Sequence, residues 1–335
     1  MKSRFLPLIA TFAVFVLLYL MGYLRFPAFG TTRVIGNFLT DNAFVGVTAI
    51  GMTFVILSGG IDLSVGSVIA FISVFCALLI ERAQIEPIVV FALALTLGAA
   101  FGATMGAIIH FFKIPAFIVT LSGMFMARGL AFVLTKESVS ISHPFYSAIS
   151  DIAIRFPDRG KLSFLAMIFL AVLVVGIFLA HYTRFGRNVY AVGGNETAAL
   201  LLGVPMRSTT IRIYALSSFL AALAGIVYSL YTSSGYPLAT VGVELDAIAA
   251  VVIGGTLLTG GAGYVAGTFI GVLIQGVIQT YITFDGTLNS WWTKILIGFL
   301  LFLFIALQKL IVRSQQRTTY SLSRPARITS QRNQT

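Results

Sequence analysis

Chemistry in this chain has few places to sit. Three ionisable side chains, Asp62, Arg128 and Asp246, fall in stretches that are otherwise apolar. A charge within such a stretch is either functional or paired, because leaving it in hydrocarbon is costly. Asp62 follows the Gly59–Gly60 pair and precedes Leu63–Ser64, so it can cap the next helix or face a path between helices. Arg128 stands near Gly123 and Gly129, which fits either a polar path or a partner acid on another helix. Glu244 and Asp246 open a later apolar stretch at its outer end, where acids favour a helix N-terminus and can also meet a basic partner. Ser217, Ser218, Tyr228 and Ser229 share one helix-length stretch, either lining a neutral path or making ordinary interhelical hydrogen bonds.

No constellation assembles a reaction. His110, His143 and His181 lie far apart, and neither His-Glu-x-x-His nor a carboxylate pair at helical spacing is present. The phosphate-binding pattern Gly-x-x-x-x-Gly-Lys-Ser/Thr is missing, so ATP is not bound by that route. Cys76 is the single cysteine, which excludes an internal disulfide and a cysteine-rich metal site. These absences point away from an enzyme, and no metal or cofactor is expected.

The longest polar connection lies between Arg184 and Arg212, with a loop unit at 182–208. Asn195 is a good N-cap, Glu196 suits the positive end of a helix, and Ala198 to Leu202 are mostly good helix formers. Gly203 fits a C-terminal cap and Pro205 stops continuation. The product is a helix of about two turns, too short to hold alone in water. It must pack on its own protein or on a partner, and Leu200, Leu201 and Leu202 are available for that.

The elements that position these residues are membrane helices. Of 335 residues, 58% are hydrophobic and 10% charged, where a soluble domain carries about a quarter. Apolar runs recur near 5–24, 43–59, 62–80, 88–111, 115–135, 162–181, 209–231, 245–258, 262–283 and 291–311. They predict about ten transmembrane helices in an all-α polytopic protein. The runs are continuous rather than alternating, which argues against a barrel. The net charge of +11 lies in loops and a tail, so it orients the chain in the membrane and implies no nucleic-acid partner. With the N-terminus inside, inner segments hold more Lys and Arg than outer ones, which places both termini in the cytoplasm. Lys2 and Arg4 before Phe5–Leu24 resemble a signal sequence. The run is long enough to span and lacks a small-x-small site, so it reads as an uncleaved first helix. Trp291 and Trp292 open the last helix at the outer interface. Residues 1–312 form the membrane domain, and 313–335 a disordered basic tail able to touch anionic lipid.

Two halves echo each other. Ser58 to Gly66 and Ile253 to Gly261 share a Gly pair, Leu, a hydroxyl residue and Gly at the same offsets. Gly98, Gly102 and Gly106, and again Gly263, Gly267 and Gly271, are small-residue ladders that let helices approach closely. Two pseudo-repeated bundles around a central path follow from this pairing, a plan common among transporters.

The stretch GGIDLSVGS at Gly59–Ser67 resembles the hallmark of monosaccharide permeases of bacterial ABC importers, the ribose and galactose type. Gly194-Asn195, Ala198-Ala199 and Gly203-Val204 resemble the loop with which these permeases contact their ATPase. The block Gly242 to Gly263, with Glu244 to Ala250 and the Gly254-Gly255 and Gly260-Gly261 pairs, is similar to a later block of the family. The likeness covers nearly the whole chain, leaving out the basic tail and the 136–160 loop. Relatives often have Ser where this chain has Leu257. Overall similarity is nearest to permeases of galactofuranose importers, although no sugar-reading residue carries that match. The resemblance implies a type II ABC importer permease in the bacterial inner membrane. Its partners would be a cytoplasmic ATPase, a second permease subunit (the same or a different chain) and a periplasmic sugar-binding protein. By the same resemblance, Asn195, Glu196, Ala198, Ala199, Leu200, Leu201 and Gly203 dock the ATPase, with Arg184, Arg187 and Arg207 at the rim. Asp62, Ser64, Arg128, Ser217, Ser218 and Tyr228 are then candidates for the gate or pathway. The alternatives are a branched-chain amino-acid ABC permease and a stand-alone secondary carrier.

Overall fold

In lipid every backbone group must be satisfied within its own segment, so apolar runs of this length become helices. The computed structural model describes residues 6–156, 158–289 and 291–322. Lys2, Arg4 and residues 323–335 of the expected tail lie outside the described residues. In chain order come α1 (Leu6–Arg25), a 3₁₀ turn at Pro27–Gly30, α2 (Thr32–Asp41), α3 (Ala43–Leu57) and α4 (Val65–Ala77), which runs on as a π-type turn to Arg82. Next are α5 (Pro87–Phe112), α6 (Ala116–Leu134), α7 (Pro144–Asp151), α8 (Phe164–Tyr182), α9 (Arg184–Gly194) and α10 (Glu196–Leu201). The chain continues through α11 (Met206–Thr232), α12 (Val243–Ile253), α13 (Val265–Asp285) and α14 (Trp291–Leu322). Two antiparallel ribbons join loops: β1 (Val139–Ser140) with β4 (Ser234–Gly235), and β2 (Ala153–Arg155) with β3 (Lys161–Ser163). α14 passes the expected tail boundary at 312.

Each of the ten apolar runs is helical, but they are not all full spans. Among the described residues, eight helices are long and apolar enough to cross, and the pair α2–α3, bent by 56°, makes a ninth if counted as one span. α12 has 11 residues, about 16 Å at ~1.5 Å per residue, roughly half of a ~30 Å hydrocarbon core. The expected span at 245–258 is therefore a half-helix. Its lower end is set by Gly255, whose φ of 91° suits glycine and closes the helix. Its upper end lies midway along α13, where Gln275 Nε2 donates to Asp246 O at 2.9 Å. Gln275 is ten residues into α13, about 15 Å from its start. Glu244 and Asp246 thus sit deep in the bundle rather than at the outer interface.

α3 and α11 form the centre. Every residue of α3 except Phe44 is buried, and α11 packs on α5, α3 and α4. Close approach replaces hydrophobic drive between helices in lipid. Gly98, Gly102 and Gly106 of α5 lie against Ala222, the Tyr214 carbonyl and Ile211 of α11, and a Cβ at Gly106 would stand 2.8 Å from Ile211 Cα. Gly267 and Gly271 of α13 meet the carbonyls of Gly254 and Ala250 on α12 and its C-cap. Gly263 is not a rung of that ladder. It precedes α13 in non-helical backbone at φ 156°, against the Thr256 side chain.

The internal repeat is real in the backbone but shifted by one residue. α3 closes with Gly59 at φ 84°, Gly59 N to Ile56 O and Gly60 N to Val55 O. α12 closes with Gly255 at φ 91°, Gly255 N to Val252 O and Thr256 N to Val251 O. Gly59 therefore corresponds to Gly255, not to Gly254, because the left-handed residue after the helix sets the register.

Candidate functional site

The breaks bring two helix N-termini together inside the bundle. α4 starts at Val65 and α12 at Val243, and Thr240 Oγ1 donates to Gly66 O at 2.7 Å. A Cβ on Gly66 would stand 2.8 Å from Thr240 O and collide with Glu244 Oε2. Helix N-termini carry partial positive charge and free N–H groups. Glu244 Oε2 is buried there without a hydrogen-bond partner among the described residues.

Asp62 lies in the same break and is fully buried. Its Oδ1 accepts from Ser64 N (2.9 Å) and Ser64 Oγ (2.6 Å), and its Oδ2 accepts from Ser217 Oγ (2.8 Å). It pins the turn before α4 and ties it to α11, so it does not cap the first N–H groups of the helix itself. Thr120 of α6 adds a contact to Ile61 O at 3.2 Å. Asp62, Ser64 and Ser217 form one cluster. Ser218 is one residue further round α11, buried without a hydrogen-bond partner among the described residues, against the Gly102 face of α5. Tyr228 stands apart, half-buried and edge-on to Phe44 at 5.2 Å between ring centroids.

Arg128 does not join the Asp62 cluster through any hydrogen bond. Its Nη1 donates to Pro237 O (2.5 Å) and Ala239 O (2.8 Å). Irregular backbone is tolerated at membrane depth only where protein satisfies it. Arg128 supplies that to the segment descending from α11 to α12. Asp246 is paired within the chain, to Lys294 Nζ of α14.

At the far end lie α9 and α10. Thr183 Oγ1 accepts from Gly186 N (3.1 Å) to start α9, and Asn195 Oδ1 accepts from Ala198 N (2.9 Å) to start α10. Gly203 at φ 79°, with Gly203 N to Leu200 O and Val204 N to Ala199 O, closes α10. Ala199 is 2% exposed, whereas Leu200 is 60%, and Leu201 and Leu202 are each 83% exposed. Ala199 therefore seats the helix on its own chain and offers no surface to a partner. Arg207 is exposed and leans over the Phe111 ring at 4.9 Å.

Sequence reasoning missed what α9 touches. Gly261 N donates to Leu57 O at 2.9 Å, joining the break after α12 to the end of α3. The Gly193 backbone is pressed on both groups: a Cβ there would collide with Leu57 O and lie 2.7 Å from Gly261 N. Cβ atoms on Gly260 and Gly261 would reach Gly59 N and Gly194 Cα, each at 2.7 Å. Tyr190 OH of α9 also donates to Gly263 O at 2.7 Å. Three chain segments thus meet through glycine backbones. The available signal was three Gly pairs, 59–60, 193–194 and 260–261, none doing the work of a helix ladder.

Among known proteins, residues 34–305 match the family described as branched-chain amino acid transport system / permease component. The chain is 62% identical over 309 residues to the inner membrane ABC transporter permease protein YjfF of Escherichia coli, covering 92% of this chain and 93% of that one. It is 38% identical to the fructose import permease protein FruG of Bifidobacterium longum, covering 93% of each chain. It is 39% identical to the ribose import permease protein RbsC of E. coli, covering 80% of this chain and 83% of the other. No solved structure gives a significant match. With that family match over most of its length and a helical bundle broken at paired glycines, the chain belongs to this permease family and is a membrane-spanning transport subunit of an ABC transporter, not an enzyme.

Proposed function

We propose that the chain is the inner-membrane permease of a monosaccharide importer, with galactofuranose as the first substrate to test. Relatives described as fructose and ribose import permeases support a sugar. Galactofuranose rests on overall sequence resemblance. A cytoplasmic ATPase works at the α9–α10 end, a soluble sugar-binding protein at the opposite end, and a second permease, of the same or another chain, completes the path. Both termini then lie on the ATPase side. The observation carrying this reading is the leucine ridge Leu200–Leu202, exposed on a capped helix whose Ala199 is anchored inward. An apolar ridge on a short helix suits a groove on a partner.

Closure of the ATPase on ATP pushes α10, α9 follows, and the glycine junction passes the motion to the ends of α3 and α12. Sugars are neutral and rich in hydroxyls, so a path with few free charges serves them. The family description names branched-chain amino acids, a zwitterionic class that needs free charges to meet its own. Asp62, Asp246 and Arg128 are each held by partners within the chain, and Glu244 Oε2 alone of these groups lacks a hydrogen bond among the described residues. No free pair of opposite charges therefore stands ready for a zwitterion, which favours sugar.

Uptake of labelled galactofuranose, ribose and xylose in cells with and without the chain tests this. Loss of one sugar on deletion supports the importer and names its substrate. Loss of none, with leucine uptake impaired, replaces the reading with the amino-acid one. Uptake that collapses with the proton gradient, and no ATPase co-purifying, replaces it with a secondary carrier.

A further inference from the structure

The end opposite α10 holds a cavity that none of the contacts above uses. Its volume is about 510 Å³, within the range of about 300–1,000 Å³ of small-molecule pockets. α2 supplies Arg33, Asn37 and Asp41 to its wall, the turn between β2 and β3 supplies Arg159, and α13 supplies Gln279 and Phe284.

These groups are ready for a ligand. The side chains of Arg33, Asn37, Arg159 and Gln279 make no hydrogen bond or ion pair with another described residue, while that of Asp41 accepts only from Tyr231 OH, on Oδ1 at 3.1 Å. Asp158, also in the wall, is by contrast occupied by the backbone N–H and hydroxyl of Thr32. The Phe284 ring is braced by Phe26 and Phe29 at centroid distances of 5.6 and 5.8 Å, yet is 39% exposed. Amides and a carboxylate that can exchange hydrogen bonds with hydroxyls, beside a rigid aromatic face for C–H groups, suit a polyol. The two arginines are balanced by two aspartates, so the lining favours a neutral ligand over an anion.

Position adds a second argument. Gln279 is one turn above Gln275, the residue bonded to the start of α12. The cavity therefore ends just above the level where the half-helix N-termini meet. We propose that it is a receiving subsite for a monosaccharide, where the permease first holds the sugar; this rests on the importer reading above.

The test uses the full importer in cells and compares one variant before and after modification. Gln279→Cys introduces a thiol, and the native Cys76 is buried, so a membrane-impermeant sulfonated maleimide added from outside reacts at the cavity. Labelled galactofuranose, ribose and xylose are the probes. Modification is expected to lower uptake at least about tenfold, the effect of roughly 1.4 kcal/mol of lost sugar contact. An excess of the transported sugar is expected to slow the modification. Asn37→Cys repeats the test should Gln279→Cys fail to assemble. Uptake that survives full modification, failure of the thiol to react, or no protection by sugar overturns the subsite and leaves the importer standing. Failure of the unmodified, natural chain to carry any of the three sugars removes the importer reading and the sugar assignment together.

Discussion

Gly193→Ala and Gly194→Ala make the same chemical change at adjacent positions of α9, and the structure expects opposite outcomes. A Cβ at Gly193 falls on the Leu57 carbonyl oxygen, with Gly261 N at 2.7 Å and Leu57 C at 2.8 Å. All three are backbone atoms, so no rotamer change relieves the overlap. Separating the segments adds about 1–3 kcal/mol of overpacking and puts at risk the Gly261–Leu57 hydrogen bond, worth about 0.5–1.5 kcal/mol. Together that is roughly 2–4 kcal/mol, a factor of about 30 to 700 in the population of the joined arrangement. A Cβ at Gly194 meets nothing within 4 Å. Ala there is expected to be neutral or to favour the helix by up to about 1 kcal/mol.

The assay is the assembled importer in proteoliposomes, scored for ATPase retention, for ATP hydrolysis in the presence of the binding protein, and for sugar imported per ATP. Gly193→Ala is expected to keep the ATPase and its hydrolysis while uptake falls at least about tenfold, the population shift setting the limit. Gly194→Ala transports as the unaltered protein does. Equal uptake by the two variants would refute the junction as the route of coupling. Loss of the ATPase from Gly193→Ala alone would show that α9 shapes the docking surface and does not transmit motion.

Leu201→Asp puts a charge on the exposed ridge and is expected to release the ATPase without affecting membrane insertion, while Ala199→Asp should disturb the seating of α10 itself; co-purification and protease sensitivity of 195–205 separate the two, and retention of the ATPase by Leu201→Asp would remove the ridge from the docking surface. Arg128→Met frees the Pro237 and Ala239 carbonyls, a loss of about 1–3 kcal/mol for each buried group left unpaired. The melting temperature should fall and cysteines placed at 236–241 should become reactive; unchanged values would deny Arg128 its holding role. The Thr32 hydrogen bonds, side chain first, hold Asp158 below the usual carboxylate range. A depressed folded pKa contributes stability above the unfolded pKa and loses it as pH falls through the folded value. Amide exchange at 158–161, corrected for its intrinsic pH dependence, should therefore rise on acidification, and Asp158→Asn should abolish that change; a flat profile in the unaltered protein would sink the idea.

What the sequence disclosed was mostly local. Asn195 and Gly203 can be read as caps because each bonds within three or four residues of itself. Which face of α10 turns inward depends on what lies beneath it, so Ala199 and Leu201 look equally available until the chain is folded. The lower end of α12 is visible in the Gly254–Gly255 pair. Its upper end is invisible because its depth is set by Arg128, 109 and 111 residues from the carbonyls it holds. Asp62 and Ser64 share a local turn, whereas Ser217 joins them from 155 positions away. The repeat misleads by one residue for a related reason. Sequence aligns glycines by identity, and only the backbone tells which of each pair carries positive φ. Gly193 and Gly194 carry the same lesson, since nothing in their type distinguishes a packed glycine from an open one.

On the proposed coupling, the same contacts would carry a push from the α9–α10 end to the other end. α12 is half a span, held at its start by Gln275, by Lys294 and, through the segment before it, by Arg128, and at its end by the Thr11 hydroxyl on Ile253 O, by Gln308 on Val252 O and by close backbone approach to Gly267 and Gly271. α13 is different: 21 residues without a break, a strut of about 31 Å. Gly263, two residues before that strut begins, is held by Tyr190 of α9, and the last turns of the strut form one wall of the cavity opposite α10. A tilt of α9 therefore reaches the cavity wall through one rigid helix, while the glycine breaks absorb the backbone rotation. Inserting a flexible Gly-Gly pair in the middle of α13 should then uncouple ATP hydrolysis from uptake even with both ends intact, because the motion would dissipate in the strut before it reached Gln279.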